Sequence, residues 1–134
     1  MRDIEMIIVH ASDSDNPKHD SINVVRDWHV TERKFTDVGY HWFIRSTGEL
    51  QAGRPEHIAG AHCEGHNKAS IGICLHGKGE PTQAQKHTLE TLLIEKCSQY
   101  DLEKSDIYPH NHFNKGKTCP NWPLEKWLDS RSWH

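Results

Sequence analysis

The sequence predicts an α/β fold: one domain over residues 1–134, with a mixed central β-sheet flanked by helices. Three observations carry that prediction. Two short apolar runs, at residues 4–9 and 70–75, are rich in isoleucine and bounded by polar or glycine-containing segments, as buried strands are. Two longer segments repeat apolar residues at helical spacing. Between them, two β-prone stretches flank Ser-Thr-Gly, a composition suited to a tight hairpin turn.

Residues 4–9 form the first strand, and its carboxyl end delivers His10 to a polar loop that runs through Asp20. Ser21 is placed to cap a helix over 22–33, in which Ile22, Val25, Trp28 and His29 share one face. Residues 39–45 and 49–53 read as the hairpin, and 70–75 as a central strand ended by the Gly-Lys-Gly-Glu-Pro segment at 77–81. Thr82 with Gln85 has the spacing of a capping box, and Leu89, Leu92, Leu93, Lys96 and Cys97 continue a helix through Gln99. A short strand at 106–108, a loop, and a helix over 123–128 with Pro123 in its first turn complete the order. Trp122, Trp127 and Trp133 crowd this end as packing residues.

With 134 residues the chain can bury a sizeable core, and a net charge of -3 gives no reason to expect general nucleic-acid binding. No apolar stretch approaches the ~20 residues that span a bilayer. Acidic residues precede the first apolar run and no cleavage-site pattern follows it, so synthesis in the cytoplasm without a signal peptide is expected. In that setting Cys63, Cys74, Cys97 and Cys119 are read as reduced thiols, with two disulfides as the alternative. The chain has twelve histidines, and most lie in surface-like contexts.

Three residues stand out from that background. His10, His110 and Cys119 offer nitrogen and sulfur donors to a borderline-soft cation such as zinc, and three protein ligands leave the fourth tetrahedral position open, as catalysis requires. Singly, each has a plainer reading: a strand-end histidine, a loop histidine and a buried thiol.

Four motifs in order, VHASDSD, DVGYHWFI, GAHCEGHNKASIGICLHG and HNHFNKGKTCP, resemble the zinc-dependent N-acetylmuramoyl-L-alanine amidases of the type-two family. That family includes the amidase-type lysozymes of short-tailed coliphages, and peptidoglycan recognition proteins share its fold. The likeness runs from about residue 4 to residue 128. It implies a Zn2+ site of His10, His110 and Cys119, with His112 as the alternative to His110 because the loop to Cys119 is one residue longer than the family's usual spacing. It implies oxyanion stabilisation by Lys117, help to the attacking water from Tyr40, and a substrate-cleft position for His62. An ammonium supplies a point charge and a phenol can donate or accept, although a phenol with a pKa of about 10 is a poor general base unless its site shifts it. No His-Glu-x-x-His helix supplies a glutamate base. His41 is read as structural, and Asn67, Ser70 and Gly72 as scaffold beside the cleft.

The implied reaction is hydrolysis of the amide joining N-acetylmuramic acid to L-alanine in peptidoglycan or its muropeptide fragments. A monomeric phage-type endolysin would act on the wall in the periplasm once the membrane is permeabilised. Two other roles follow from the same resemblance. One is a binding module that recognises peptidoglycan without cutting it, against which Cys119 speaks; the other is an added RNA polymerase partner.

Overall fold

The computed structural model describes residues 2–32, 38–116 and 118–133. Its centre is a five-stranded mixed sheet in the order β3-β2-β4-β1-β5. The strands are β1 (Met6–Ala11), β2 (Trp42–Ile44), β3 (Leu50–Ala52), β4 (Ser70–Leu75) and β5 (Ile107–Pro109). β1 pairs in parallel with β4 and β5, β2 pairs in parallel with β4, and only the β2–β3 hairpin is antiparallel. All six residues of β4 and five of the six in β1 are buried, which explains why both read as unbroken apolar runs without alternation.

The strand boundaries differ from those expected, and the ladder gives the reason. β1 begins at Met6 because its partner β4 begins at Ser70, after a helical turn over Asn67–Ala69, and it continues to Ala11 because Ala11 still pairs with Leu75. His10 therefore sits inside the strand, opposite Cys74. The hairpin strands are shorter than expected, with three pairs closed by a turn in which Gly48 adopts a φ of 91°. β5 is displaced by one residue and stops at Pro109, after which the chain turns into a 3-10 segment over His110–His112.

Helices cover both faces. α2 (Gln83–Tyr100) and α3 (Leu124–Asp129) pack Leu89, Leu92, Leu93, Leu124 and Leu128 against Ile7, Val9, Ile71 and Ile73. On the other face, α1 (Ile22–Asp27) sets Ile22 and Val25 against Phe43 and Cys74. Side chains alternate along a strand, so Ile7 and Val9 face α2 while Ile8 and His10 face the α1 side. α1 is shorter than expected, continuing as a π-helical turn over Trp28–Glu32; the remaining expected helical residue, Arg33, lies outside the described residues. Ser21 caps α1 as expected, whereas Pro123 occupies the cap position of α3 and not its first turn.

Gln85 does more than close the capping box with Thr82. Its side chain is 1% exposed, and its amide donates to the carbonyls of His76 (2.9 Å) and Ile44 (3.3 Å), satisfying groups where β4 and β2 end. Buried Lys96 likewise pairs with Glu56 at 2.8 Å, and Glu56 also accepts from Trp42 Nε1 and Tyr100 Oη, each at 2.6 Å. Trp127 of α3 meets Trp122, just before the helix, edge to face at 5.5 Å. None of the four cysteines is in a disulfide.

His41 is 1% exposed and joins three segments: Nδ1 accepts from the Gly72 N–H (3.0 Å), and Nε2 donates to the Ile58 carbonyl (2.9 Å). Burial is the main cause holding its pKa down at about 4. A neutral ring in the fold and an ordinary imidazole in the unfolded chain mean that its contribution is complete above pH ~6.5 and is lost as pH falls toward 4. In urea titrations of metal-free protein across that window, His41→Asn should reduce the pH slope of unfolding free energy by up to about 1.4 kcal/mol per pH unit, the value of one proton. An unchanged slope would show that His41 is not held neutral.

Candidate metal centre

Where parallel strands end, the fold opens a cleft of about 360 Å³ bounded by His10, Tyr40, His62, His110 and Cys119. His10 comes from the central strand, and the other two donor residues come from the segment after β5. Their three ligand atoms lie within 4.8 Å of one another, the only such metal-capable group of His, Cys, Asp and Glu among the described residues. Metal bonds of about 2.0–2.3 Å place tetrahedral ligands roughly 3.5 Å apart, so modest side-chain rotations close this set.

The early end of β5 makes room for the cysteine. Ser12 donates its N–H to Leu75 on the β4 side, so the Ala11 N–H points to the opposite edge, where β5 has already turned away. Cys119 Sγ accepts that N–H at 3.0 Å. A backbone donor on sulfur stabilises the thiolate, the form that binds metal. The ligand loop is tied at both ends by the Asn111 N–H to the Cys119 carbonyl (3.0 Å) and by the Phe113 N–H to the His110 carbonyl (3.1 Å).

The rings of His10 and His110 lie 4.3 Å apart between centroids, and Tyr40 is 5.0 Å from His10. Burial first, then the neighbouring His62, His110 and His29, hold the His10 pKa well below the usual imidazole value. A neutral imidazole is what a metal needs from this residue. Tyr40 is half-buried on the cleft wall and is also a hydrogen-bond partner of the Cys74 thiol, whose pKa burial drives well above its ordinary value.

His112, the alternative ligand, is exposed and directed elsewhere: its ring packs on Tyr108 (4.8 Å) and Phe113 (4.9 Å). The structure thus brings His110, and not His112, to His10 and Cys119. Lys117 lies outside the described residues. His62, expected as a substrate-cleft residue, reaches the cleft wall but is 8% exposed, and both ring nitrogens are engaged, Nδ1 with His10 Nε2 (2.9 Å) and Nε2 with Ser70 Oγ (3.1 Å). Burial leads the causes that press its pKa down to about 3.

Sequence reasoning gave no role to two further groups at the site. His29 is buried behind Tyr40, with ring centroids 5.4 Å apart, and its Nδ1 accepts the Gly39 N–H at 2.7 Å. Helical spacing had placed His29 on the buried face, but nothing in the sequence pairs it with Gly39. The Ala11 N–H is a backbone group and leaves no sequence signal.

Residues 1–122 match the sequence family described as N-acetylmuramoyl-L-alanine amidase. The endolysin of Klebsiella phage KP32 is 34% identical over 136 residues, spanning 96% of this chain and 87% of its own length. The endolysin of Escherichia phage T7 is 34% identical over 133 residues, spanning 93% and 85%. Among solved structures, the N-acetylmuramoyl-L-alanine amidase LysC from Clostridium intestinale URNW superposes with a TM-score of 0.83 at 26% identity, covering 93% of this chain and 83% of that one. Drosophila PGRP-LB shares the fold, with a TM-score of 0.80 at 23% identity over 97% of this chain and 82% of its own.

The geometry distinguishes the two loop histidines in a zinc titration of metal-free protein. His110→Ala should weaken zinc binding by at least about 100-fold, as expected for loss of a direct ligand in a three-residue set, while His112→Ala should stay within about threefold of the parent. The reverse ranking would move the ligand to His112.

Proposed function

The chain belongs to the N-acetylmuramoyl-L-alanine amidase family and is a phage-type peptidoglycan amidase; from that premise we propose that His10, His110 and Cys119 bind one zinc ion and that the cleft around them cuts the bond between N-acetylmuramic acid and L-alanine. The observation that carries the metal assignment is the convergence of the three ligand atoms with a backbone N–H already directed at the Cys119 sulfur. Two imidazoles and a thiolate suit zinc in preference to harder, oxygen-seeking cations.

Zinc in such a site supplies Lewis acidity toward water and toward an amide carbonyl. The chain's own groups supply the rest. Tyr40 stands on the cleft wall beside His10, where its hydroxyl can hold or pass a proton near the reacting carbon. Lys117, by its place in the family motif two residues before Cys119, is assigned to stabilise charge developing on the carbonyl oxygen. His10 and His110 act as ligands, leaving proton transfer to Tyr40 and to groups of the substrate.

The substrate is peptidoglycan or a muropeptide fragment, and the setting is that of an endolysin, acting on the cell wall after release from the cytoplasm. Among the described residues no helix is long and apolar enough to cross a membrane. Cys119 separates this reading from recognition without hydrolysis, because a module that only binds peptidoglycan has no need of a thiolate ligand.

Purified cell wall incubated with the protein should release soluble stem peptides with new L-alanine amino termini; chelation should abolish release and added zinc restore it. Zinc-independent release, or none, would overturn the proposal. Tyr40→Phe and Lys117→Ala should retain zinc while lowering turnover, by about 100-fold for loss of the oxyanion donor. Loss of zinc from either variant would reassign that residue to the metal site.

A further inference from the structure

With both rings neutral, as their burial requires, the hydrogen bonds behind His10 have one consistent set of donors. The Ser70 hydroxyl donates its single proton to the His66 carbonyl at 2.8 Å, because a carbonyl can only accept. Toward His62 the same oxygen must therefore accept, so His62 carries its proton on Nε2. A neutral imidazole has one N–H, which leaves His62 Nδ1 as an acceptor, and the group it faces at 2.9 Å is His10 Nε2. His10 is then protonated on Nε2 and bare on Nδ1. Both rings lie almost out of water, 5.0 Å apart and nearly perpendicular at 86°, where two adjacent cations would be strongly disfavoured.

His62 is also clamped in place. A Cβ on Gly72 would come within 2.6 Å of its ring, and one on Gly60 within 2.7 Å, so both glycines exist in a form that leaves the ring its space. Asn67 Oδ1 accepts the N–H groups of His62 and Cys63, each at 2.9 Å, fixing the backbone from which the ring projects. Gly72 and Ser70 lie on β4, so the sheet itself sets the ring's position.

We propose that His62 and Ser70 are positioning residues that act through His10: the chain from the His66 carbonyl through Ser70 and His62 locks the His10 Nε2–H in place, so that Nδ1 is the atom offered to the metal. This rests on the zinc reading above and gives His62 a role other than substrate contact. A ligand held in one tautomer and one orientation before the metal arrives loses less entropy on binding and is the stronger donor.

Long-range proton–nitrogen spectra of the imidazoles in metal-free wild-type protein read the tautomers directly. His10 and His62 should both appear as Nε2–H forms; an Nδ1–H form of His10 would overturn the proposal. Zinc affinity by competition with a chromophoric chelator gives the second readout, with thermal melts to confirm folding. His62→Leu should weaken zinc binding about 10- to 100-fold, and Ser70→Ala should weaken it by less. His62→Asn, whose amide oxygen can stand where Nδ1 accepts, should recover most of the affinity although it cannot reach Ser70. Unchanged zinc affinity in His62→Leu, together with a raised KM for wall fragments, would return His62 to substrate binding. A wild-type protein that takes up no zinc would remove the metal reading itself, and this proposal with it.

Discussion

The fold turns on β1, a strand enclosed by parallel neighbours on both edges and by helices or loops on both faces. No water reaches its interior, so every polar group it carries must find a protein partner. Where β4 runs alongside, ladder bonds meet that requirement. Where β5 breaks off at Pro109, the Ala11 N–H is left to a side chain, and the sulfur of Cys119 takes it. His10, one residue earlier, is the imidazole that this buried strand delivers to the cleft. The metal-capable cluster is thus the place where the sheet's hydrogen bonding is completed by the loop that follows it.

Tightly packed β4 plays a complementary part. Its small residues are spaced for what lies above them: Ser70 meets His62 through its hydroxyl, and Gly72 leaves room for the same ring while giving its N–H to His41. A strand that looks like generic apolar core thus carries two histidines in fixed orientations. The buried imidazoles at 10, 41 and 62 are each below the ordinary pKa for the same leading reason, loss of water. Burial thus holds His10 and His62 in the uncharged form, the form of imidazole that a cation accepts as a ligand.

Much of the fold was legible in the sequence because burial leaves a compositional trace. The runs at 4–9 and 70–75, the capping box at Thr82 and the Ser-Thr-Gly turn each mark an element by local chemistry, and each appears. Boundaries were less legible, since β1 starts and stops where its partners allow, a nonlocal condition no single segment carries. The donors His10, His110 and Cys119 were visible as residue types in family motifs, and the structure brings them together. The motif order already favoured His110 over His112; the structure adds that the two rings leave the 3-10 turn in different directions, one toward His10 and the other onto Tyr108 and Phe113. The two bonds made by the His62 ring were hidden because one partner lies 52 residues back and the other 8 residues on.

The separation of the donors also has a consequence in time. His10 and His110 are 100 residues apart, with Cys119 nine further on, and between them lies every strand of the sheet except β1. A growing polypeptide therefore cannot bring these three donors together until residue 119 has been translated and β5 has docked. A prematurely terminated or proteolysed product that ends before Cys119 lacks a donor.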